Sequence, residues 1–297
     1  MNAEKQPLSP AQLKKRRNTR NTLARSAVQV LFFVSMPGAF VAGFNGVKEI
    51  FQRIGSGSVI EPNAFILALV GLCAFTVVFG RYFCGFVCAF GSFGDFVFWL
   101  SGIIQKKLFK RKKQYVLPEA VTKYARYVKY AVLAVIVSLC ALGVYSRLGG
   151  WSPWSVFSFL TSFRLDLAGY ALGAVLLVLI IAGMSVKERF FCQFLCPMGA
   201  VFSLLPILPF AQLRRDTENC IPRCNACKMK CPVDIKLEQD GFLNGECIAC
   251  ERCTGVCPRA NLTRWDRKLL KDELIPVLIK AVLFFALGSW LGLCRWF

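Results

Sequence analysis

The stretch RYFCGFVCAFG, Arg81 to Gly91, returns as RFFCQFLCPMG, Arg189 to Gly199. Each copy carries Arg, two aromatic residues, Cys, three residues, a second Cys and, three residues on, Gly. Each follows a long apolar run, and the fold has to accommodate the device twice, 108 residues apart. Duplication of this kind is common in scaffolds whose two halves build one site at their interface. Cys84, Cys88, Cys192 and Cys196 are then four thiols in two matched pairs. The CxxxC spacing puts both thiols of a pair on one face of a helical turn, or on a tight loop.

Apolar residues make up 56% of the 297 residues, only 18% are charged, and the mean hydropathy is +0.50. A water-exposed domain of this length needs more polar surface. Five apolar runs, 23–46, 64–80, 128–149, 167–186 and 274–293, read as membrane spans, since a span takes roughly 17–25 residues. The expected fold is mainly α: a polytopic helical membrane protein of about five spans, with an internally duplicated four-helix core and a two-cluster bacterial-type ferredoxin domain. The divisions are a basic arm at 1–22, a first repeat at 23–109 and a basic loop at 110–127. A second repeat follows at 128–210, a ferredoxin domain at 218–262 and a last span at 274–293. Segments 92–109 and 199–210 read as interfacial helices.

The formal net charge is +20 and there is no His, which excludes His-ligated haem or zinc and any His proton relay in this chain. The basic residues flank apolar runs, so topology and anionic lipid explain them better than nucleic acid. Lys14 to Arg20 and Lys110 to Lys113 mark the cytoplasmic side, which gives a multi-pass protein of the bacterial inner membrane with its N-terminus, Cys pairs and ferredoxin domain on that side. The Trp151–Trp154 loop reads as an interfacial anchor.

CIPRCNACKMKCP and CIACERCTGVCP supply eight further cysteines. The second is C-x2-C-x2-C-x3-C-P, the bacterial ferredoxin run, in which the fourth Cys ligates the other cluster. The first has one extra residue between its first two cysteines. Crossed ligation assigns Cys220, Cys224, Cys227 and Cys257 to one 4Fe-4S cluster, and Cys231, Cys247, Cys250 and Cys253 to a second. Zinc or disulfides are the alternatives for these eight. Arg223, Lys228, Lys230 and Arg252 surround the runs, either favouring the reduced clusters and an acidic donor or simply forming a solvated face.

For Cys84, Cys88, Cys192 and Cys196 three readings stand: an additional iron–sulfur centre at the membrane edge, a dithiol–disulfide relay, or small residues at close helix contacts. Phe83, Phe86, Phe191 and Phe194 would shield such a centre or pack at an interface. Gly85, Gly91 and Gly199 suit tight turns beneath a bulky group. Cys73, Cys140 and Cys294 lack partners at ligand spacing and read as small buried apolar residues.

Tandem CxxxC(P) motifs followed by two ferredoxin runs resemble the NapH/NosR-type membrane-bound 4Fe-4S ferredoxin family, over about Val30 to Leu262. The resemblance implies an electron-transfer subunit passing single electrons between iron–sulfur clusters and a membrane or extracytoplasmic partner. It also implies partner redox subunits, among them an FMN-binding or ferredoxin subunit, and a quinone. There is no FMN-binding domain in the sequence, so flavin belongs to a partner. Ala89 stands where Pro197 follows the second pair, a departure from the family pattern. The cbb3-oxidase assembly ferredoxins share the plan, but their additional His and C-terminal soluble domain are missing. The sequence shows no nucleophile or acid–base pair near the runs, so the chain reads as a redox subunit of an oxidoreductase complex rather than an enzyme alone. The rival readings are an assembly-type copper or iron reductase and an iron–sulfur redox sensor.

Overall fold

The structure is a computed structural model that describes residues 10–109, 118–161, 169–209, 211–216, 218, 220–221, 223–235, 245–259, 261–263 and 274–294. It is mostly α-helical. The first half consists of α1 (Pro10–Ser35), α2 (Ala39–Ser56), α3 (Ala64–Phe79), a π-helical turn (Phe83–Val87) and α4 (Ala89–Phe109). The second has α5 (Glu119–Ala141), a 3-10 turn (Tyr145–Trp151), α6 (Pro153–Thr161), α7 (Ala171–Val186), α8 (Phe190–Phe194) and α9 (Pro197–Leu204). The cysteine-rich segment carries β1 (Arg214–Arg215), α10 (Ala226–Met229), α11 (Arg252–Val256) and β2 (Leu262–Thr263), and α12 (Leu274–Trp290) follows. The strands pair antiparallel, Arg214 opposite Thr263 and Arg215 opposite Leu262, so the cysteine-rich segment is closed at its own ends.

Local chemistry sets the helix ends. Pro37 and Gly38 separate α1 from α2, which meet at 60°. Gly57 ends α2 in the left-handed region at φ 67°, its N–H donating to the Arg53 and Ile54 carbonyls. The Asn63 side chain opens α3 by accepting from the Phe65 and Ile66 amides at 3.1 and 3.0 Å. Pro197 begins α9, where a missing N–H costs nothing.

The five-span reading does not hold. Among the described residues one helix is long and apolar enough to cross a membrane, Val121–Ala141 within α5, 21 residues long with a mean hydropathy of 1.4 over its most apolar 18. A second qualifies only if the bent pair Asn18–Ser35 and Ala39–Ser56 counts as one. The three other apolar helices have 16, 16 and 17 residues. At 1.5 Å per residue they reach about 24–26 Å, short of a hydrocarbon core of about 30 Å. The multi-pass inner-membrane placement, with the arm and ferredoxin domain on the cytoplasmic side, falls with the span count. The reason is local: the apolar runs include turn residues. Run 128–149 leaves the helix after Ala141, and run 23–46 breaks at Pro37. The stretch between the first two apolar runs is helical as far as Ser56, and segment 92–109 belongs to the 21-residue α4. Lys110 to Lys113 lie outside the described residues.

Aromatic packing forms the core on either side of the Cys turns. Phe284 of α12 meets Phe32, Phe75 and Phe83 at centroid distances of 5.7, 4.9 and 5.9 Å. On the other side Phe90 packs on Phe191 and Phe157 at 4.4 and 4.7 Å. Edge and offset contacts of this kind stabilise by about 0.5–1.5 kcal/mol each beyond their buried area. Trp154, expected at an interface, is instead buried edge-on to Phe44, whereas Trp151 is exposed. Cys140 and Cys294 are buried and Cys73 is half-buried.

Candidate functional site

All fifteen cysteines are free thiols, so no disulfide staples the chain. The eight of the cysteine-rich segment divide four and four. Cys220, Cys224, Cys227 and Cys257 line one cavity. Cys231, Cys247, Cys250 and Cys253 line another. Cys257 therefore faces the cavity of the first run, and Cys231 that of the second. Helix α10 presents Cys227 and α11 presents Cys253. Arg223, Ala249 and Glu251 take positive φ, at 60°, 50° and 56°, which turns each loop back around its cavity. Such backbone costs on the order of 1–3 kcal/mol per residue and persists where surroundings enforce it.

Hydrogen bonds reach the sulfurs. The Arg215 guanidinium donates from Nε and Nη2 to Cys220 Sγ at 3.4 and 3.2 Å, and the Asn261 amide donates to Cys257 Sγ at 3.4 Å. Burial pushes the Cys231 thiol up to about 12, and the nearby Cys250 and Cys247 add to it. Burial raises Cys253 well above the usual thiol range, again with help from its neighbours. Thiols so placed ionise together only when a cationic group displaces their protons. Among the described residues no group of three or more Cys, Asp or Glu converges closely enough to hold a single metal ion.

The two CxxxC turns converge as well. Cys84, Cys88, Cys192 and Cys196 are all buried. Burial raises Cys88 and Cys196, and the companion thiols raise them further: Cys192 and Cys84 act on Cys88, and Cys192, Cys84 and Cys88 on Cys196. Cys196 caps α9, its sulfur accepting from the Gly199 amide at 3.1 Å, and Cys88 accepts likewise from the Gly91 amide. Phe83, Phe86, Phe191 and Phe194 are buried around the turns.

The glycines serve close approach rather than tight turning. A Cβ on Gly85 would lie 2.4 Å from the Ile248 carbonyl oxygen and 3.4 Å from Cys250 Cα. The first CxxxC turn thus rests directly on the loop of the second ferredoxin run. The matching residue of the second turn, Gln193, donates to the Val233 carbonyl at 3.0 Å. Both turns touch the cysteine-rich segment. A Cβ on Gly91 would lie 2.3 Å from Arg189 Nη1, and one on Gly199 would lie 3.1 Å from Arg81 Nη2. Each copy's Gly makes room for the other copy's Arg.

Two carboxylates complete the frame, and nothing in their sequence surroundings singles them out. Asp95 of α4 accepts from Arg189 Nε and Nη2 at 2.7 and 2.6 Å, from Arg25 Nη2 at 3.0 Å and from Gln29 Nε2 at 2.9 Å. Arg252 stands 3.8 Å away. Burial alone would push the Asp95 carboxyl up; Arg189, Arg25 and Arg252 outweigh it and hold it well below the usual range. Glu246 lies 3.6 Å from Arg81 and is paired with Lys129. The guanidinium that donates to a sulfur is that of Arg215, and Lys228 donates to Cys227 through its backbone N–H. Arg252 is paired with Glu188.

Beside the second ferredoxin cavity lies an open-sided cleft of about 920 Å³, with Cys231 and Cys250 in its wall. Val30, Phe33, Phe93 and Trp99 give it an apolar side. Arg25 and Ser92 give it a polar end, where Arg25 Nε and Nη1 and Ser92 Oγ are buried without hydrogen-bond partners.

The family described as 4Fe-4S binding domain matches residues 62–113 and 170–208. The two matched segments are the two copies of helix, CxxxC turn and following helix. An uncharacterized protein of Methanocaldococcus jannaschii, MJ0750, is 32% identical over 243 residues, 81% of this chain and 94% of that protein. The ferredoxin-type protein NapH of Escherichia coli is 26% identical over 228 residues, 72% of this chain and 73% of that protein. The chain belongs to the NapH/NosR-type 4Fe-4S ferredoxin family. Another relative is YccM of Escherichia coli, named as a candidate electron transport protein, 27% identical over 277 residues, 86% of this chain and 74% of that one. No solved structure matches the chain. Family membership gives it an iron–sulfur, electron-transfer role.

Proposed function

We propose that the chain is an electron-transfer subunit of a redox complex, with two 4Fe-4S clusters in its cysteine-rich segment and a further iron–sulfur centre between its CxxxC turns. Cys220, Cys224, Cys227 and Cys257 hold one cluster; Cys231, Cys247, Cys250 and Cys253 hold the other. The observation that carries this reading is the crossed division of eight cysteines between two cavities. Two runs of four cysteines, each ending in Cys-Pro, favour iron–sulfur clusters over zinc, which usually takes two separated Cys-x2-Cys pairs. The third centre draws its support from the four converging thiols and from a 4Fe-4S-binding family that matches the two CxxxC repeats rather than the ferredoxin runs.

Bound clusters supply one-electron transfer. The chain's own residues position them and exclude water. Crossed ligation keeps the two ferredoxin-type sites adjacent, and Gly85 lets the CxxxC turn lie against Cys250. Exposed apolar residues on α7 and α12, among them Val178, Leu179 and Val282, suit contact with partner subunits, to which any flavin is assigned. The cleft supports a quinone as exchange partner: its apolar wall suits the ring and tail, and Arg25 and Ser92 offer donors to a head carbonyl.

Arg25→Lys and Ser92→Ala test that assignment. Each is expected to slow reoxidation of the reduced protein by a short-chain quinone about tenfold, the effect of roughly 1.4 kcal/mol of lost binding. Iron content and reoxidation by ferricyanide, which needs no apolar cleft, should not change. Equal quinone rates in wild type and both variants would contradict it.

A further inference from the structure

The repeated line carries one more regularity, and the cysteines do not account for it. Both copies begin with Arg and end with Gly, and the fold exchanges these partners between the copies. Arg189 inserts against Gly91 and donates through Nη1 to the Cys84 carbonyl at 2.6 Å, with Cys192 Sγ 3.9 Å from the same nitrogen. Arg81 inserts against Gly199 and lies in hydrogen-bonding reach of the Cys84 thiol. Both guanidiniums are 1% exposed. Burying a charge is expensive unless something nearby repays it. Asp95 repays Arg189 with two short bonds. Arg81 is less fully repaid: Glu246 stands 3.6 Å off and is shared with Lys129, and Arg81 Nε is buried without a hydrogen-bond partner.

We propose that Arg81 and Arg189 are the countercharge of the four-cysteine site, each seated against the other copy's Gly while its guanidinium reaches the first Cys of its own copy, and that this pair of charges sets how easily the site is reduced. The inference rests on the reading of that site as an iron–sulfur centre. Four thiolates around an iron–sulfur core make a net anion, and reduction adds one more negative charge. A guanidinium keeps its positive charge at any working pH, so two of them at this distance favour the reduced state. They are positioning residues: they act on the thiolates and the turns, and the glycines exist to admit them. The carboxylates set the balance. Asp95 partly cancels Arg189, and Glu246 partly cancels Arg81 and Lys129, so the site's field is a difference between opposed charges contributed from α4 and from the cysteine-rich segment.

The test is a redox titration of anaerobically purified full-length protein, followed by EPR. The centre's signal is the one that disappears when Cys84, Cys88, Cys192 and Cys196 are all changed to Ser. Arg81→Gln and Arg189→Gln should lower its midpoint potential, while Arg81→Lys keeps it near the wild-type value. Glu246→Gln should raise it. Gly91→Ala, which keeps every charge but displaces Arg189, should lower it more than Gly199→Ala does, in line with the tighter approach at Gly91. In the arginine variants the signals of the two ferredoxin-type clusters should not move; Glu246→Gln, next to Cys247, is read on the third signal alone. A staple that only held the halves together would show no opposite sign between the Arg and Glu variants. An unmoved potential in both kinds of variant, with the third signal present, overturns the countercharge and leaves the centre standing. If the four-Ser variant keeps all its iron and all its signals, the centre itself is overturned and the countercharge with it. Glu246→Gln and the glycine variants keep both arginines, so a collapse of the Gln variants does not remove the test.

Discussion

Cys257→Ser removes iron from the cavity built by Cys220, Cys224 and Cys227, not from the run in which Cys257 lies. The cavities divide the eight cysteines in crossed fashion, so the loss follows space rather than sequence. The expected loss is one cluster of the ferredoxin pair, about four iron atoms of about eight. Cys231→Ser should cost the other cluster. Double variants make the assignment sharp. Cys257→Ser with Cys224→Ser removes two ligands of one cluster and should lose no more iron than either change alone. Cys257→Ser with Cys250→Ser removes one ligand from each and should lose about twice as much, in line with two independent sites. Iron analysis and EPR of the reduced proteins read both results. The reverse pattern would mean that each run serves its own cluster.

Asp95→Asn is expected to destabilise the fold by about 3–5 kcal/mol, the cost of leaving buried charges without their partner. Asp95 is the one carboxylate shared by Arg189 of the second Cys turn, Arg25 of α1 and, at longer range, Arg252 of α11. Its loss leaves two nearly fully buried guanidiniums facing each other. Chemical denaturation of the two proteins checks the figure. The pH dependence has a defined sign. The Asp95 carboxyl is held below its ordinary value in the folded protein. Its contribution is therefore fully present above the unfolded carboxylate value of about 3.9, and is lost as the pH falls toward the lower folded value. The gap between wild type and Asp95→Asn should stay constant at neutral pH and narrow only in acid. A gap that narrowed at neutral pH would mean that Asp95 is not ionised in the folded state.

The division of the eight cysteines into two groups of four was the most legible part of the sequence, because the runs are local: three cysteines within eight residues and the fourth before a Pro. The duplicated turns were legible too, since a line written twice needs no structure to be seen. Helix positions followed the apolar runs closely at α3, α7 and α12. Their reading as spans failed because hydropathy counts residues and not helical rise. Val144 belongs to an apolar run without extending α5, and Pro37 bends what looked like one segment. Gly91 and Gly199 were noticed, but their use was not, because the group each admits comes from the other copy. Asp95 and Glu246 were missed for the same reason, whereas Arg215 lies only five residues before Cys220, outside the run that the spacing singled out. Asp95 and Arg189 are 94 residues apart, and no spacing joins them.

The most direct measurement of the central claim is iron and acid-labile sulfide per chain on anaerobically purified protein, beside the variant with Cys84, Cys88, Cys192 and Cys196 all changed to Ser. The account predicts about eight iron and eight sulfide in the variant, with both ferredoxin-type EPR signals intact, and about two to four more iron in the wild type. Zinc in place of iron, or equal iron in the two proteins, would contradict it: the first removes the electron-transfer clusters, and the second leaves the paired turns without a centre of their own.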